Sequence, residues 1–329
     1  MDAAYYRKRR ERARETMREA GIDALFLVPT SDLYYLTGFR GSIGDRLTGL
    51  LLRQDEEFFL YPAIEEASLN GELRESAMCI PHRDGEEPLG ILTGLLPRKN
   101  GLLAVDSRIW GGTLLALQQL LPETRWLDAA LVMEPLRAQK DAEEYRLLRE
   151  AQLRAGQGLL ALYEWGLEGR TEREAAAKLT ECCAQAGLAP ASWGPIVASG
   201  ANGAMPHHEN SDKTIVKGDP VLIDFGGVYG GYQADMTRCP VAGKASPEFR
   251  DIYGIVLAAN EAAFRAARPG VPCEAPDSAA RALISRAGHG ARFTHRLGHG
   301  IGLDIHETPY LVQGSARTLL PGMAFSDEP

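Results

Sequence analysis

The most informative segment of the sequence is residues 220–240, PVLIDFGGVYGGYQADMTRCP. It reads as two apolar strands around a glycine-containing turn, which predicts an antiparallel hairpin. If the turn residues are Tyr229 and Gly230, Asp224 and Asp235 lie directly opposite each other, with Cβ atoms roughly 5 Å apart on one face. Two buried carboxylates in that relation repel each other, so the pattern predicts a cation between them.

A second informative stretch is residues 294–307, THRLGHGIGLDIHE, which holds three of the seven histidines. The interspersed glycines argue against a helix and therefore against the HExxH motif of zinc proteases. A lone histidine is usually structural. His295, His299 and His306 together, in a chain that already has a paired-aspartate site, favour metal binding and proton transfer.

Two shorter segments add candidates: His207 in the PHHE sequence of a Gly/Asn-rich loop, and Glu328 immediately before the final proline. Asp, Asp, His and Glu form a mostly oxygen ligand set that suits manganese, cobalt, iron or zinc. Opposed carboxylates can bridge two ions ~3.5 Å apart, which favours a two-metal hydrolase in which a metal-bound hydroxide attacks a carbonyl.

The chain has 329 residues, and at about 150 residues per domain this predicts two domains. Short apolar strands alternate with helices in the first part, which indicates an α/β domain over residues 1–135. Long helical patterns dominate residues 136–329. Two helix pairs flanked by glycines recur there, which suggests two similar halves facing each other across a cleft.

Composition excludes several classes. Hydrophobic residues make up 45%, charged residues 24%, and the net charge is -8, so we expect a soluble globular protein without a nucleic-acid partner. No apolar run approaches the ~20 residues of a membrane span. Five cysteines without a CxxC motif and no signal-peptide core favour a cytoplasmic protein. The basic residues at 7–14 alternate with acidic ones, which predicts a solvated helix face.

The motifs at 224–226 (DFG), 230–238 (GGYxxDMTR), 295–307 (HxxGHGIGLDIHE) and 328–329 (EP) together resemble the pita-bread metallopeptidases, which include methionine aminopeptidase, aminopeptidase P and prolidase. The YYLTGF sequence at 34–39 is similar to the N-terminal domain of the prolidase and aminopeptidase P branch. The resemblance implies an α/β N-terminal domain, then an α+β pita-bread domain with pseudo-twofold halves and a mostly antiparallel sheet. It also implies a homodimer.

The same resemblance implies the ligand set. Asp224 would chelate one ion, Asp235 would bridge two, His299 would bind one, and Glu328 would bind metal and act as general base. The family has a fifth ligand, a second bridging glutamate on a later strand, and the sequence ends at Pro329 before that strand. We therefore expect a shortened chain, or one that binds its second metal poorly.

For the remaining histidines, the resemblance implies that His207 contacts substrate and helps proton transfer. His306 would hold the substrate carbonyl and the tetrahedral intermediate, and His295 would line the proline side. The implied activity is hydrolysis of Xaa-Pro bonds in proline-containing peptides or dipeptides by a metal-bridging hydroxide, with two divalent ions, manganese foremost. Dipeptidase and aminopeptidase specificities both stay open.

Three other functions fit the sequence less well than a metallopeptidase. A non-catalytic pita-bread binding module would have lost its ligands, but four are present. A metal-free C–N hydrolase like creatinase requires the two aspartates to be replaced. A serine hydrolase would need a GxSxG elbow, which the sequence lacks.

Overall fold

The computed structural model describes residues 2–96 and 101–329, and the chain separates into two units, Met1–Arg137 and Ala138–Pro329. The first unit is an α/β layer built on one mixed sheet. Its strands are β1 (Ala24–Leu27), β2 (Gly49–Arg53), β3 (Glu57–Pro62), β4 (Met78–His82), β5 (Leu102–Val105) and β6 (Arg125–Asp128). Its helices are α1 (Ala3–Glu19), α2 (Ser31–Thr37), α3 (Gly71–Ser76), α4 (Pro88–Leu95), α5 (Gly111–Leu120) and α6 (Ala130–Ala138).

The six strands lie in the order β4-β3-β2-β1-β5-β6. The β1–β2 and β2–β3 pairs are antiparallel, whereas β3–β4, β1–β5 and β5–β6 are parallel. All four residues of β1 are buried, as expected for a central strand covered on both faces. Strands β1, β2, β3 and β5 are short, apolar and largely buried, whereas most residues of β4 and β6 are exposed or half-buried.

The N-terminal helix corrects one expectation. Its basic residues do not form a uniformly solvated face, because Arg9 and Arg10 are almost completely buried. Arg10 lies 2.8 Å from the Glu57 carboxylate and 2.6 Å from that of Glu72, while Arg9 stacks on the Tyr35 ring. These partners are distant in sequence, so charge spacing along the helix could not reveal them.

The second unit packs four helices against short antiparallel strands. The helices are α7 (Ala142–Trp165), α8 (Glu172–Gln185), α9 (Pro247–Ala266) and α10 (Glu274–Arg286). Thr171 caps α8 with a complete capping box and Ser246 caps α9. None of the described helices is both long enough and apolar enough to cross a membrane.

The strands of this unit are β7 (Ile196–Ser199), β8 (Val221–Tyr229), β9 (Tyr232–Arg238), β10 (Gly298–Gly300) and β11 (Glu307–Leu311). They form a three-stranded sheet, β7-β8-β9, and a two-stranded sheet, β10-β11. Every ladder is antiparallel. A hydrogen bond of 2.8 Å from Gln233 N to Gly302 O joins β9 to the segment that follows β10.

The β8–β9 hairpin has a different register from the predicted one. Tyr229 pairs with Tyr232, so the turn residues are Gly230 and Gly231, with φ of +57° and +94°. A two-residue turn of this kind needs positive φ at both positions, which glycine adopts without strain and tyrosine does not. Because the register moves by two residues rather than one, each side chain keeps its predicted face.

Candidate metal centre

Three of the predicted ligands converge in the second unit: Asp235 on β9, His299 on β10, and Glu328 in the segment that pairs with β10. His299 Nε2 lies 3.4 Å from Asp235 Oδ2 and 3.1 Å from Glu328 Oε1. The three ligand atoms all lie within 4.8 Å of one another. Residues that are far apart in sequence therefore meet at one point.

Strand β10 brings His299 and Glu328 together through backbone pairing. Ser326 N donates to His299 O at 2.8 Å, and Glu328 N donates to Leu297 O at 3.0 Å. The approach is close because Gly298 has no side chain: a Cβ there would lie 2.0 Å from Ser326 O. The glycines of the sequence motif are therefore a packing requirement of the site.

Asp224 lies beside this cluster in a relation that differs from the predicted one. On the hairpin, Asp224 pairs with Thr237 and Asp235 pairs with Gly226. The two aspartates are therefore diagonal neighbours on one face, not directly opposed residues. The Thr237 hydroxyl donates to Asp224 Oδ1 at 3.0 Å. Diagonal spacing still allows the two carboxylates to interact.

Burial and the neighbouring Asp235 carboxylate raise the pKa of Asp224 to about 6. For His299, burial alone would lower the pKa, but the hydrogen bonds to Asp235 and Glu328 outweigh it and raise the pKa to about 9. Burial pushes the pKa of Glu328 upward, whereas His299 and Ser326 pull it down, and the net direction is downward. The site thus concentrates negative charge that a cation would offset.

Side chains around the ligands fix their orientation. His299 Nδ1 lies 3.0 Å from Gly300 O, which leaves Nε2 directed at the carboxylates. The Ser326 hydroxyl donates to Glu328 Oε1 at 2.7 Å. The sequence pattern did not indicate roles for Ser326 or Thr237. Thr237 lies opposite Asp224 in the observed register, and only that register identifies it as a neighbour of the Asp224 carboxylate.

The accessory histidines have distinct environments. The His306 ring stands edge-on to that of His299, with centroids 4.2 Å apart, and burial and the neighbouring His299 lower the pKa of His306. His295 is exposed and packs edge-on against Phe293 at 5.0 Å. His207 lies on an exposed turn, and the hydrogen bonds and ring contacts among the described residues do not join it to the cluster.

The donor set fits a divalent metal ion. Two carboxylates and an imidazole nitrogen converge, and a further carboxylate on the same hairpin face carries a raised pKa. Such oxygen-rich sets with one imidazole are typical of manganese, iron, cobalt and zinc sites. Strands β8, β9 and β10 and the segment that pairs with β10 position these four side chains.

Comparison with known proteins gives the family. The model of metallopeptidase family M24 matches residues 146–329, and the creatinase/prolidase N-terminal domain matches residues 9–139. The Xaa-Pro dipeptidase of Pyrococcus horikoshii is 32% identical over 316 residues, covering 96% of this chain and 87% of that protein. None of these descriptions supports the non-catalytic alternative.

Two solved structures show the same fold. Dipeptidase PepE from Mycobacterium ulcerans superposes with a TM-score of 0.93 at 35% identity, covering 99% of this chain and 89% of that one. The prolidase from Thermococcus sibiricus gives 0.89 at 33% identity, with coverage of 99% and 89%. The predicted pita-bread fold is therefore confirmed, and the chain belongs to metallopeptidase family M24.

Proposed function

We propose that this protein is a metal-dependent exopeptidase that hydrolyses Xaa-Pro bonds, acting on dipeptides or on the N-termini of longer peptides. The observation that carries the proposal is the convergence of Asp235, His299 and Glu328 within 4.8 Å. Similarity to proteins named Xaa-Pro dipeptidase and prolidase supports the substrate class.

The ligand roles are part of the proposal. Asp224, Asp235, His299 and Glu328 would hold the metal, with manganese as the expected ion. When bound, the metal supplies polarisation of the scissile carbonyl and activation of water. The diagonal placement of the two aspartates on one face of the hairpin would let both carboxylates contribute to the site.

The chain's own residues carry the proton transfers. Glu328, whose pKa is lowered, stays ionised at neutral pH and accepts a proton as the general base. His306, whose pKa is also lowered, stays neutral and donates a hydrogen bond to the substrate carbonyl oxygen. His207 contacts the substrate from its loop, and His295 lines the proline side.

Assembly and location are further proposals. A homodimer follows from the family resemblance. The five cysteines all lie in the described part of the chain and form no disulfide, which supports a reducing compartment such as the cytoplasm.

The test is release of the free N-terminal amino acid, Xaa, from an Xaa-Pro dipeptide and from a longer peptide with an N-terminal Xaa-Pro, each with added Mn²⁺. Matched Xaa-Ala substrates serve as controls for specificity, and Asp235→Asn serves as a control for contamination. We expect release from one substrate class, abolished by a chelator. Absence of release from both classes, with bound metal confirmed by elemental analysis, would overturn the proposal.

A further inference from the structure

A buried carboxylate at the start of α8 organises a loop that lies outside the metal ligands. The Glu172 side chain is completely buried. Its Oε1 accepts hydrogen bonds from Ser199 N (2.7 Å), Ser199 Oγ (2.8 Å) and Asn202 Nδ2 (2.9 Å). Its Oε2 accepts from His208 Nε2 (2.7 Å), Ser211 Oγ (2.6 Å) and Ser211 N (3.2 Å). One carboxylate thus holds both ends and the middle of residues 199–211, the histidine loop.

His208 lies next to His207 in the histidine loop, and the two side chains have different environments. Its side chain is 8% exposed and points inward to Glu172, whereas the adjacent His207 is exposed. His208 N also donates to Met205 O at 3.2 Å, which closes the turn that carries His207. Since neighbouring residues share a backbone, fixing the direction of one imidazole constrains the other.

The ionised state of the Glu172 carboxylate strengthens its hydrogen bonds to the histidine loop. Burial by itself raises the pKa of Glu172, but the hydrogen bonds from Ser211, Ser199, His208 and Asn202 outweigh burial and hold it well below its usual range. The carboxylate therefore stays ionised, and it can only accept hydrogen bonds. An ionised acceptor makes stronger hydrogen bonds than a neutral one, and the donors named above all belong to the histidine loop.

The other helix pair has a related anchor. Asp277, in the first turn of α10, is completely buried and accepts from Leu297 N at 3.0 Å. It also pairs with Arg281, which donates to His295 O at 2.9 Å. In both halves, a buried first-turn carboxylate holds the segment that carries an accessory histidine. The recurrence favours a shared purpose over an isolated packing detail.

We propose that Glu172 and His208 are positioning residues that set the orientation of His207 toward the substrate. The proposal rests on the proposed function, in which His207 contacts the substrate. Neither Glu172 nor His208 is expected to touch substrate or metal, so each acts through the histidine loop. The consequence is that loss of Glu172 should impair turnover while the metal-binding stoichiometry is retained.

The experiment compares Glu172→Gln with Glu174→Gln, a matched control in the same helical turn whose side chain is exposed. Amide hydrogen exchange is followed over residues 199–211 in the full chain, with α10 as internal reference. We expect exchange in the histidine loop to rise about tenfold or more in Glu172→Gln and to stay unchanged in Glu174→Gln and in α10. The milder His208→Gln variant provides the same comparison if Glu172→Gln does not fold.

A double-mutant cycle with His207→Ala then tests the mechanism. A small displacement of a positioned group can cost about 100-fold in rate, so we expect Glu172→Gln to lower kcat/KM by about 10- to 100-fold. It should have no further effect when His207 is already alanine, because both changes act through the same group.

Multiplicative losses in the double mutant, or unchanged exchange in the histidine loop, would overturn the proposal. If the unmodified protein shows no peptidase activity, the proposed function fails on its own. Hydrogen exchange and the NMR signals of the His207 ring still decide whether Glu172 sets the orientation of His207.

Discussion

The Lys140 ammonium group lies 2.7 Å from Glu307 Oε1, and both side chains are buried, with exposed fractions of 2% and 9%. Glu307 begins β11 and directly follows His306. Its second oxygen faces Asp304 N at 3.4 Å. The ion pair therefore ties the turn that carries His306 to the start of the second unit, where Lys140 N also donates to Gly322 O at 2.8 Å.

We expect Lys140→Met to destabilise the protein by about 3 kcal/mol, because it breaks a buried ion pair by removing the ammonium group beside the Glu307 carboxylate. The free energy of unfolding in urea measures this. Lys178→Met is the matched control, since Lys178 pairs with Glu181 at the surface and such pairs contribute under about 1 kcal/mol. Equal losses in both variants would contradict a special role for the buried pair.

Asp235→Asn should weaken metal binding by at least about 100-fold, since even changes to residues outside the direct ligands cost about 10- to 100-fold. Isothermal titration with Mn²⁺ measures the effect. The control is Asp212→Asn, because Asp212 is an exposed carboxylate that pairs with Arg173. If the metal affinity of Asp235→Asn equals that of the unmodified protein, the assigned ligand set is wrong.

Metal affinity should increase with pH. The pKa of His299 in the metal-free protein is raised to about 9, so below that pH a metal ion must displace a proton from its imidazole. Affinity therefore rises about tenfold per pH unit up to about pH 9 and then levels off. Below about pH 6 the slope steepens, because Asp224, with its pKa raised to about 6, releases a second proton.

Titration calorimetry near pH 7.5 in buffers of different ionisation enthalpy gives the number of protons released. The expected value at that pH is about one per site. If no proton is released, the metal does not displace a proton from the His299 imidazole, and the predicted pH dependence is wrong.

Gly298→Ala should disrupt the metal site by separating the backbone of β10 from the segment that carries Glu328. The added Cβ would lie 2.0 Å from Ser326 O, and separating the two segments would move Glu328 away from His299. We expect a loss of about 1 to 3 kcal/mol in unfolding free energy, together with weaker metal binding. The control is Gly156→Ala in α7, where a Cβ meets nothing within 4 Å and should stabilise by about 0.5 to 1 kcal/mol. Retained metal affinity in Gly298→Ala would contradict the close approach.

Most of the secondary structure could be predicted from the sequence because it depends on residues that are close together along the chain. The capping sequences at Thr171 and Ser246 locate two helix starts, and the glycines around His299 exclude a helix there, as β10 confirms. The β8–β9 hairpin was recognised, but its register depended on which residues in a glycine-rich turn have positive φ. That choice is a matter of two torsion angles and is not encoded in the apolar pattern.

The long-range pairs could not be predicted in the same way. Glu172 and Glu174 both lie in the first turn of α8, yet only Glu172 is buried. Tertiary packing alone distinguishes them. The same holds for Arg10, whose carboxylate partners come from β3 and α3, and for Arg9, which stacks on Tyr35 of α2.

The anchors of the accessory histidines have a practical consequence for metal exchange. Glu172, Asp277 and Glu307 take their partners from the protein itself, so the loops they hold do not require an ion for their shape. We therefore expect these segments to keep their conformation when the metal is removed. An engineer could replace one divalent ion by another to tune reactivity without redesigning the surrounding scaffold.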